Sequence, residues 1–553
     1  MSAVLAALPV VVACGALAGR VSATRAAALA LAACALLVPL AFPLAPARLA
    51  DVLLGWAPTL LEVVLILAGG ITLARLLEAC GAQARIAGWL TSIVASPTAA
   101  VLLVVHGVVP FAESVTGFGV GVMVGVPLLL HLGRDPLRAS VLAMLGLVAV
   151  PWGSLGPGTL IAARMNDLDL TDLGVACAVV NGVVFLVSGV AAVILDDQPT
   201  MPRRLLAGLG SGAALWFGVW AANSLVGTPL AGALGALLVI VGHLALARTR
   251  GAARARAAAS VGPDAPADHA SPAAADSGAP AGSASPAAPA DSDAGAPIDS
   301  SAPAAADSGL PADPASPAAP ANSAAPADSS VPVDPGDRAA GLSLARALTP
   351  YGTIVAGLLS ASALVTLPAL APAEPVLASP ALWLAIACLV AATALPFAPG
   401  LRGAVARGAA RTWRAVGLPT AGFLLLGVLM AATGMSTALA QAATGLGGAY
   451  LALAPWVGGV GGFVTGSNAG ANSMFAAAQG QAAHALGVST LHLVAVQNCA
   501  AAALTMASPS RVEMALGLCP PDRMPQRRQV MATVLAVNAV MLLGLSALAL
   551  LTL

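Results

Sequence analysis

Glu113 stands two residues before Val115-Thr116-Gly117, in the apolar stretch VVPFAESVTGFG. A carboxylate at membrane depth is costly and marks a functional site by default, and one that is partly desolvated is suited to carrying a proton with a substrate. The plainer alternative is a glutamate at a membrane mouth. Glu62, in PTLLEVVLILAGG, is a second candidate for proton handling, or else a structural hydrogen-bond partner for a neighbouring helix. His106, seven residues before Glu113, could relay protons or be a satisfied interfacial histidine. Arg511 follows Ser508-Pro509-Ser510 and could pair with a carboxylate or belong to a loop.

Two Gly-rich stretches resemble one another. Val115-Thr116-Gly117-Phe118-Gly119-Val120-Gly121 and Val464-Thr465-Gly466-Ser467-Asn468-Ala469-Gly470 share V-T-G-x-x-x-G. Leu132-Gly133 then Leu137 follow the first, and Leu486-Gly487 then Leu491 the second. A further break comes next in each: Trp152-Gly153-Ser154-Leu155-Gly156-Pro157-Gly158 in one, Ser508-Pro509-Ser510 in the other. In lipid every backbone N–H and C=O must be bonded, so broken helix survives only where protein or a watery cavity surrounds it. Secondary transporters place paired broken helices at the bilayer midplane, where half-helix N-termini present N–H groups and a positive dipole end to an anion. Ser114, Thr116, Gly117, Phe118 and Gly119 are therefore substrate-binding candidates on one side. Thr465, Gly466, Ser467, Asn468, Asn472, Ser508 and Arg511 are those on the other. Small residues let a carboxylate approach the backbone, and hydroxyls and amides add donors. For the glycines, helix–helix packing is the competing explanation.

The elements that must position these residues are membrane helices. Of 553 residues 59% are hydrophobic and 9% charged, with mean hydropathy +0.91, against roughly 25% charged in a soluble domain. Apolar stretches long enough to span a bilayer recur along the chain, and the short alternating segments of a β-barrel are absent. The expected fold is an all-α polytopic membrane protein with about 12–14 transmembrane helices, in two inverted repeats with re-entrant or broken helices. Stretches 86–105 and 137–152 read as spans, whereas 106–133 and 464–486 are too rich in Gly, Ser, Thr and Asn to be plain ones.

Three regions follow: a first membrane half at 1–250 carrying TGFG, a linker at 251–341, and a second half at 342–553 carrying TGSNAGAN. The linker, rich in Ala, Pro, Ser and Asp, cannot bury enough apolar surface to fold and should be disordered. Arg248, Arg250, Arg254 and Arg256 cluster at its start and place it in the cytoplasm by the positive-inside rule. Other Arg clusters match the parity of the spans imperfectly, which points to re-entrant segments or miscounted helices. The apolar N-terminal run lacks a preceding basic region and reads as a retained first helix, not a cleaved leader.

Net charge is zero, so charge alone predicts no nucleic-acid partner. The seven cysteines (Cys14, Cys34, Cys80, Cys177, Cys388, Cys499, Cys519) have no CxxC spacing, and His484 and His492 lie outside any HExxH frame. No metal, cofactor or disulfide framework is expected. Walker A, GxGxxG and GxSxG frames are missing from the sequence, which argues against ATP-driven transport and against an enzyme. A pore lined by small polar residues remains an alternative.

FAESVTGFGVGVMVGVPLLLHLGRDPLRASVLAML (111–145) and VGGVGGFVTGSNAGANSMFAAAQGQAAHALGVSTLHLVAVQN (457–498), followed by Ser508-Pro509, resemble the L-lactate permease family. The resemblance implies proton-coupled uptake of 2-hydroxymonocarboxylates, L-lactate or glycolate, through an inverted-repeat fold with re-entrant hairpins in the bacterial inner membrane. It places Glu113, Gly117, Phe118 and Gly119 on the family's first motif. Thr465, Gly466, Ser467, Asn468 and Asn472 fall on the second, and Ser508 and Pro509 on the third. Glu62 sits where such permeases tend to carry a glutamate in an early span. Departures touch the presumed site. Val120-Gly121-Val122 stands where an Ala/Thr-Pro-Val type of sequence is usual, Ser510-Arg511 stands where Gln-Ser is usual, and the 252–340 insert is longer than typical. The expected partners are a small organic anion, a coupling ion (proton or sodium) and the lipid bilayer, with a homo-oligomer left open. Another organic anion, sodium coupling and a passive channel are the alternatives.

Overall fold

The computed structural model describes residues 2–93, 96–196, 198, 201–260 and 341–553. Most of the linker, 261–340, lies outside the described residues. All described regular structure is helical. The first half runs α1 (Ser2–Ala18), α2 (Ala23–Leu40), α3 (Pro46–Ala79), α4 (Ala82–Ile93), α5 (Pro97–Thr116), α6 (Val120–His131) and α7 (Pro136–Leu145). A 3-10 segment, Leu147–Leu155, leads to α8 (Pro157–Met165), α9 (Leu170–Leu195), α10 (Pro202–Leu225) and α11 (Thr228–Ser260). The second half runs α12 (Leu344–Leu364), α13 (Pro380–Ala394), α14 (Leu401–Ala432), α15 (Met435–Thr444), α16 (Ala449–Thr465), α17 (Asn468–Leu486), α18 (Thr490–Thr505), α19 (Pro509–Leu516) and α20 (Arg527–Thr552).

Ten helices among the described residues are long and apolar enough to cross a membrane, and the bent pair of α7 and the 3-10 segment would make eleven. Four shorter apolar helices, α1, α6, α13 and α16, lie between 10 and 17 residues. The expected span at 86–105 is instead divided. Ser96 is extended and Pro97 opens a new helix, because proline fits the first turn, where its missing N–H is no loss.

Within 97–131 the chain turns back on itself. Gly121 and Gly125 of α6 face Val109 of α5 so closely that a Cβ on either would lie 2.7 Å from a Val109 atom, and such spacing lets helix backbones approach. Both ends of the hairpin meet one ionic cluster. Arg204 Nε donates to Thr98 Oγ1 at 2.7 Å near the start of α5. Arg204 and Arg134, the latter just past α6, flank Asp196 at 2.5 and 2.8 Å. The pair α16 and α17 makes the matching hairpin, with Gly461 seated on Phe475.

Each hairpin is followed by an interrupted helix in the same order: α7, the 3-10 segment and α8 in the first half, α18 and α19 in the second. The hairpins and interrupted helices then interlock crosswise. α6 packs on α19, and the corresponding α17 packs on α8.

Candidate substrate site at four helix breaks

Four interruptions touch in a closed circuit. Gly117, Phe118 and Gly119 are consecutive left-handed residues between α5 and α6, with φ of 68, 57 and 85°. Ser154, Leu155 and Gly156, before α8, form a second such run at 46, 65 and 82°. Gly466 is left-handed (φ 63°) and Ser467 extended ahead of α17, and Ser508 is the N-cap of α19. A Cβ on Gly117 would lie 2.6 Å from Ser154 Cβ, one on Gly158 2.6 Å from Asn468 Nδ2, and one on Gly466 2.6 Å from Ser510 Oγ. A Cβ on Gly119 would collide with Arg511 and Met514 of α19, which closes the circuit. Phe118, Ser154 and Leu155 pay no glycine discount, and non-glycine residues in this region cost about 1–3 kcal/mol each. Packing holds them there. Phe118 packs against the cluster that contains Val63, Leu67, Leu160 and Ala469, and Leu155 is buried in the cluster that contains Ile66 and Leu73 of α3.

One side of the circuit is charged. Glu113, 2% exposed, folds over the first break. Its two oxygens accept from Gly119 N at 3.1 and 3.0 Å, and Oε2 also accepts from Gly121 N at 3.2 Å. The carboxylate thus caps α6, where a negative charge meets the positive end of the helix dipole. Arg511, 9% exposed, reaches Glu113 Oε1 with Nη2 at 3.4 Å.

The other side is neutral. Ser467 Oγ caps α17 by accepting from Gly470 N at 3.2 Å, and Thr465 Oγ1 donates to Gly461 O at 2.7 Å. Asn468 and Asn472, one turn apart, both donate Nδ2 to Asn498 Oδ1 of α18, at 2.8 and 2.7 Å. Asn498 Nδ2 donates in turn to Thr159 Oγ1 of α8 at 2.8 Å and to Cys177 Sγ at 3.2 Å. Thr159 holds in α8 the place of Arg511 in α19, each three residues past its N-cap.

Glu113, Thr116, Gly117, Phe118, Gly119, Thr465, Gly466, Ser467, Asn468, Asn472, Ser508 and Arg511 are thus gathered on the four breaks or within one turn of them. Three other candidates point away from the breaks, Glu62 and His106 with partners elsewhere and Ser114 with its buried hydroxyl unpartnered among the described residues. Glu62 Oε1 accepts from Ser379 Oγ at the start of α13, at 3.2 Å. His106 has both ring nitrogens occupied, Nε2 with Ser188 Oγ at 2.8 Å and Nδ1 with Ser211 Oγ at 3.0 Å. Ser114 Oγ points at Gly232 of α11, where a Cβ would lie 2.5 Å away.

Asn498 and Thr159 escaped the sequence reading, Ser154 entered it only as part of a break, and a further duplicated element was missed. Asn181 Nδ2 donates to Val148 O of the 3-10 segment at 2.8 Å, and Asn538 Nδ2 donates to Ala503 O of α18 at 2.7 Å. Each lies in a V-N-x-V string, Val180-Asn181-Gly182-Val183 and Val537-Asn538-Ala539-Val540, which extends the repeat downstream.

Among the described residues no group of three or more His, Cys, Asp or Glu could hold a metal. Multiple apolar spans around paired broken helices define a multi-pass membrane transporter. The chain belongs to the L-lactate permease family, whose model matches residues 2–261 and 362–520. Among curated proteins no sequence matches it.

Proposed function

We propose that this transporter carries a small 2-hydroxymonocarboxylate such as L-lactate or glycolate, together with a proton, through the circuit of four breaks. The Glu113–Arg511 pair carries the reading. Arg511 is the cation of the circuit, and Glu113 holds it in the unloaded state. A substrate carboxylate that takes Arg511 would face Glu113 as a second anion beside one cation. An uncompensated buried charge costs about 3–5 kcal/mol. Protonation of Glu113 removes that charge, so the loaded site holds one proton and one carboxylate against Arg511. Loading without the proton is disfavoured by roughly a hundredfold or more, since 1.36 kcal/mol is tenfold.

We further infer that the halves are inverted and that the hairpins open to opposite faces. The Thr98–Arg204–Asp196–Arg134 cluster supports this at the mouth of the first hairpin. Cys519, past α19, reaches Pro136 O at 3.8 Å near that mouth, and Arg527 pairs with Glu513 at 2.9 Å, so α20 starts on this side. Ser546, near the far end of α20, bonds Trp456 and Ala452 at the start of α16, at 3.2 and 2.7 Å. Gly232 against Ser114 and Gly107 against Ile240 run α11 antiparallel to α5 and carry Arg248 toward the first mouth. Positive residues on that side make it cytoplasmic. Hairpins that do not cross account for the parity of the Arg clusters.

The deciding experiment is uptake of labelled L-lactate by proteoliposomes under an inward proton gradient, with sodium present or replaced. Accumulation that a protonophore collapses and glycolate competes supports the proposal. Accumulation that needs a sodium gradient replaces the proton, and equilibration without accumulation means a passive pore.

A further inference from the structure

We infer that Asn472 reads the 2-hydroxyl of the substrate, and that Asn498 acts as the positioning residue that turns it to do so. The inference rests on the proposed function and adds what selects the substrate. Thr159 fixes the direction of the whole network. Its hydroxyl lies 2.6 Å from Pro151 O, so its one proton is committed there and its oxygen must accept from Asn498 Nδ2. The Asn498 amide is thereby oriented with Nδ2 toward α8 and Oδ1 toward α17. Oδ1 then receives Nδ2 protons from both Asn468 and Asn472, and Asn472 Nδ2 gives its second proton to Asn468 Oδ1 at 3.2 Å.

That orientation leaves one atom of the network over. Asn472 is fully buried, and among the described residues nothing donates to its Oδ1. A buried acceptor without a donor costs about 1–3 kcal/mol, and every other amide atom of the three asparagines is satisfied. Asn472 lies one turn into α17. The N-terminus of α17 adjoins that of α19, because Gly466 packs on Ser508 and Ser510, and α19 carries Arg511. A ligand for this corner pairs an anionic group with a neighbouring hydrogen-bond donor. A 2-hydroxycarboxylate has both, with its hydroxyl on the carbon next to the carboxylate. Propionate has no hydroxyl, and the 2-oxo group of pyruvate can only accept, so each leaves Asn472 Oδ1 unpaired. Sites built to bond a substrate hydroxyl reject the analogue that lacks it for this reason.

The test is uptake and competition in proteoliposomes with L-lactate, propionate and pyruvate. Wild-type protein should prefer L-lactate over propionate by about fivefold to 150-fold, the span of 1–3 kcal/mol. Asn472→Ala should collapse that ratio toward one by raising KM for L-lactate more than KM for propionate. Asn498→Ala, which frees the Asn472 amide to turn, should lower the ratio in the same way. Thr159→Val keeps the side-chain volume while removing the orienting hydroxyl, and reports the same ratio if Asn472→Ala fails to insert. A lactate preference that survives in the inserted variants overturns the inference. So does wild-type protein that carries L-lactate and propionate alike, and in that case the monocarboxylate reading stands. Wild-type protein that moves none of the three overturns the proposed function itself.

Discussion

Arg511 Nη2 lies 3.4 Å from Glu113 Oε1 across 398 residues of chain, and the pair joins the tip of the first hairpin to α19 in the second half. Each residue also has a structural part in the first break. Glu113 is also the cap of α6, through Gly119 N and Gly121 N, and Arg511 lies where any side chain on Gly119 would collide with it. The charge balance of the site and the geometry of the first break are therefore one feature.

Glu113→Gln separates them. Glutamine keeps the volume and an oxygen for the Gly119 N–H but removes the charge. Accumulation driven by a pH gradient should be lost, while L-lactate exchange at equal pH persists. Arg511→Gln leaves Glu113 without its cation and should cut uptake by a hundredfold or more, as about 3–5 kcal/mol implies. The double variant should unfold at a higher temperature than Arg511→Gln alone in a detergent melt. Strictly additive effects would mean that the two groups do not interact.

Glycine variants test the circuit against general helix softening. Gly119→Ala and Gly466→Ala meet both a left-handed backbone and a neighbour, Arg511 or Ser510. Gly133→Ala and Gly487→Ala, at the hairpin exits, are equally left-handed, but nothing lies within 4 Å of an added Cβ. The exit variants should lose about 1 kcal/mol of stability and keep transport. The first two should lose at least about tenfold in uptake, since a misplacement near 1 Å at a site is enough for that. Similar losses in all four would reduce the effect to backbone strain.

The duplicated V-T-G, the Gly-rich breaks and the membrane-wide hydropathy were legible in the sequence, because periodicity and small residues in lipid are local properties. Glu113 was legible for the same reason, as a charge in an apolar run. Its partner was not. Arg511 follows a Ser-Pro-Ser that reads equally as a loop, and only the crosswise packing of α19 on α6 decides between pairing and exposure. His106 illustrates the reverse. Seven residues from Glu113 it read as a relay or as a satisfied interfacial histidine, and its partners Ser188 and Ser211 sit on helices whose contact no spacing reveals. Asn498 was the missed residue with a usable mark, an amide closing the apolar run Leu493–Val496.

Asn181 and Asn538 should behave as a matched pair. Each donates to a carbonyl of an interrupted helix, Val148 O or Ala503 O, where regular bonding fails. Substitution by leucine removes that donor in lipid, and each variant should lose about 1 kcal/mol. Detergent melts of Asn181→Leu and Asn538→Leu should show equal drops, with substrate preference unchanged. A drop in only one half would break the structural equivalence.

The proposed inversion of the two hairpins makes a prediction about sidedness that charge patterns alone do not. Gly133 and Gly487 occupy equivalent exits, one residue past Leu132 and Leu486, and both are exposed. In the inverted arrangement the first exit lies beside Arg134 on the cytoplasmic face and the second on the opposite face. Single cysteines placed there as Gly133→Cys and Gly487→Cys, in a background without the seven native cysteines, can be labelled with a membrane-impermeant maleimide. Right-side-out vesicles should label Gly487→Cys alone, and inside-out vesicles Gly133→Cys alone. Labelling of both from one side would mean that one hairpin crosses the membrane, and the circuit of breaks would then not lie at a common depth.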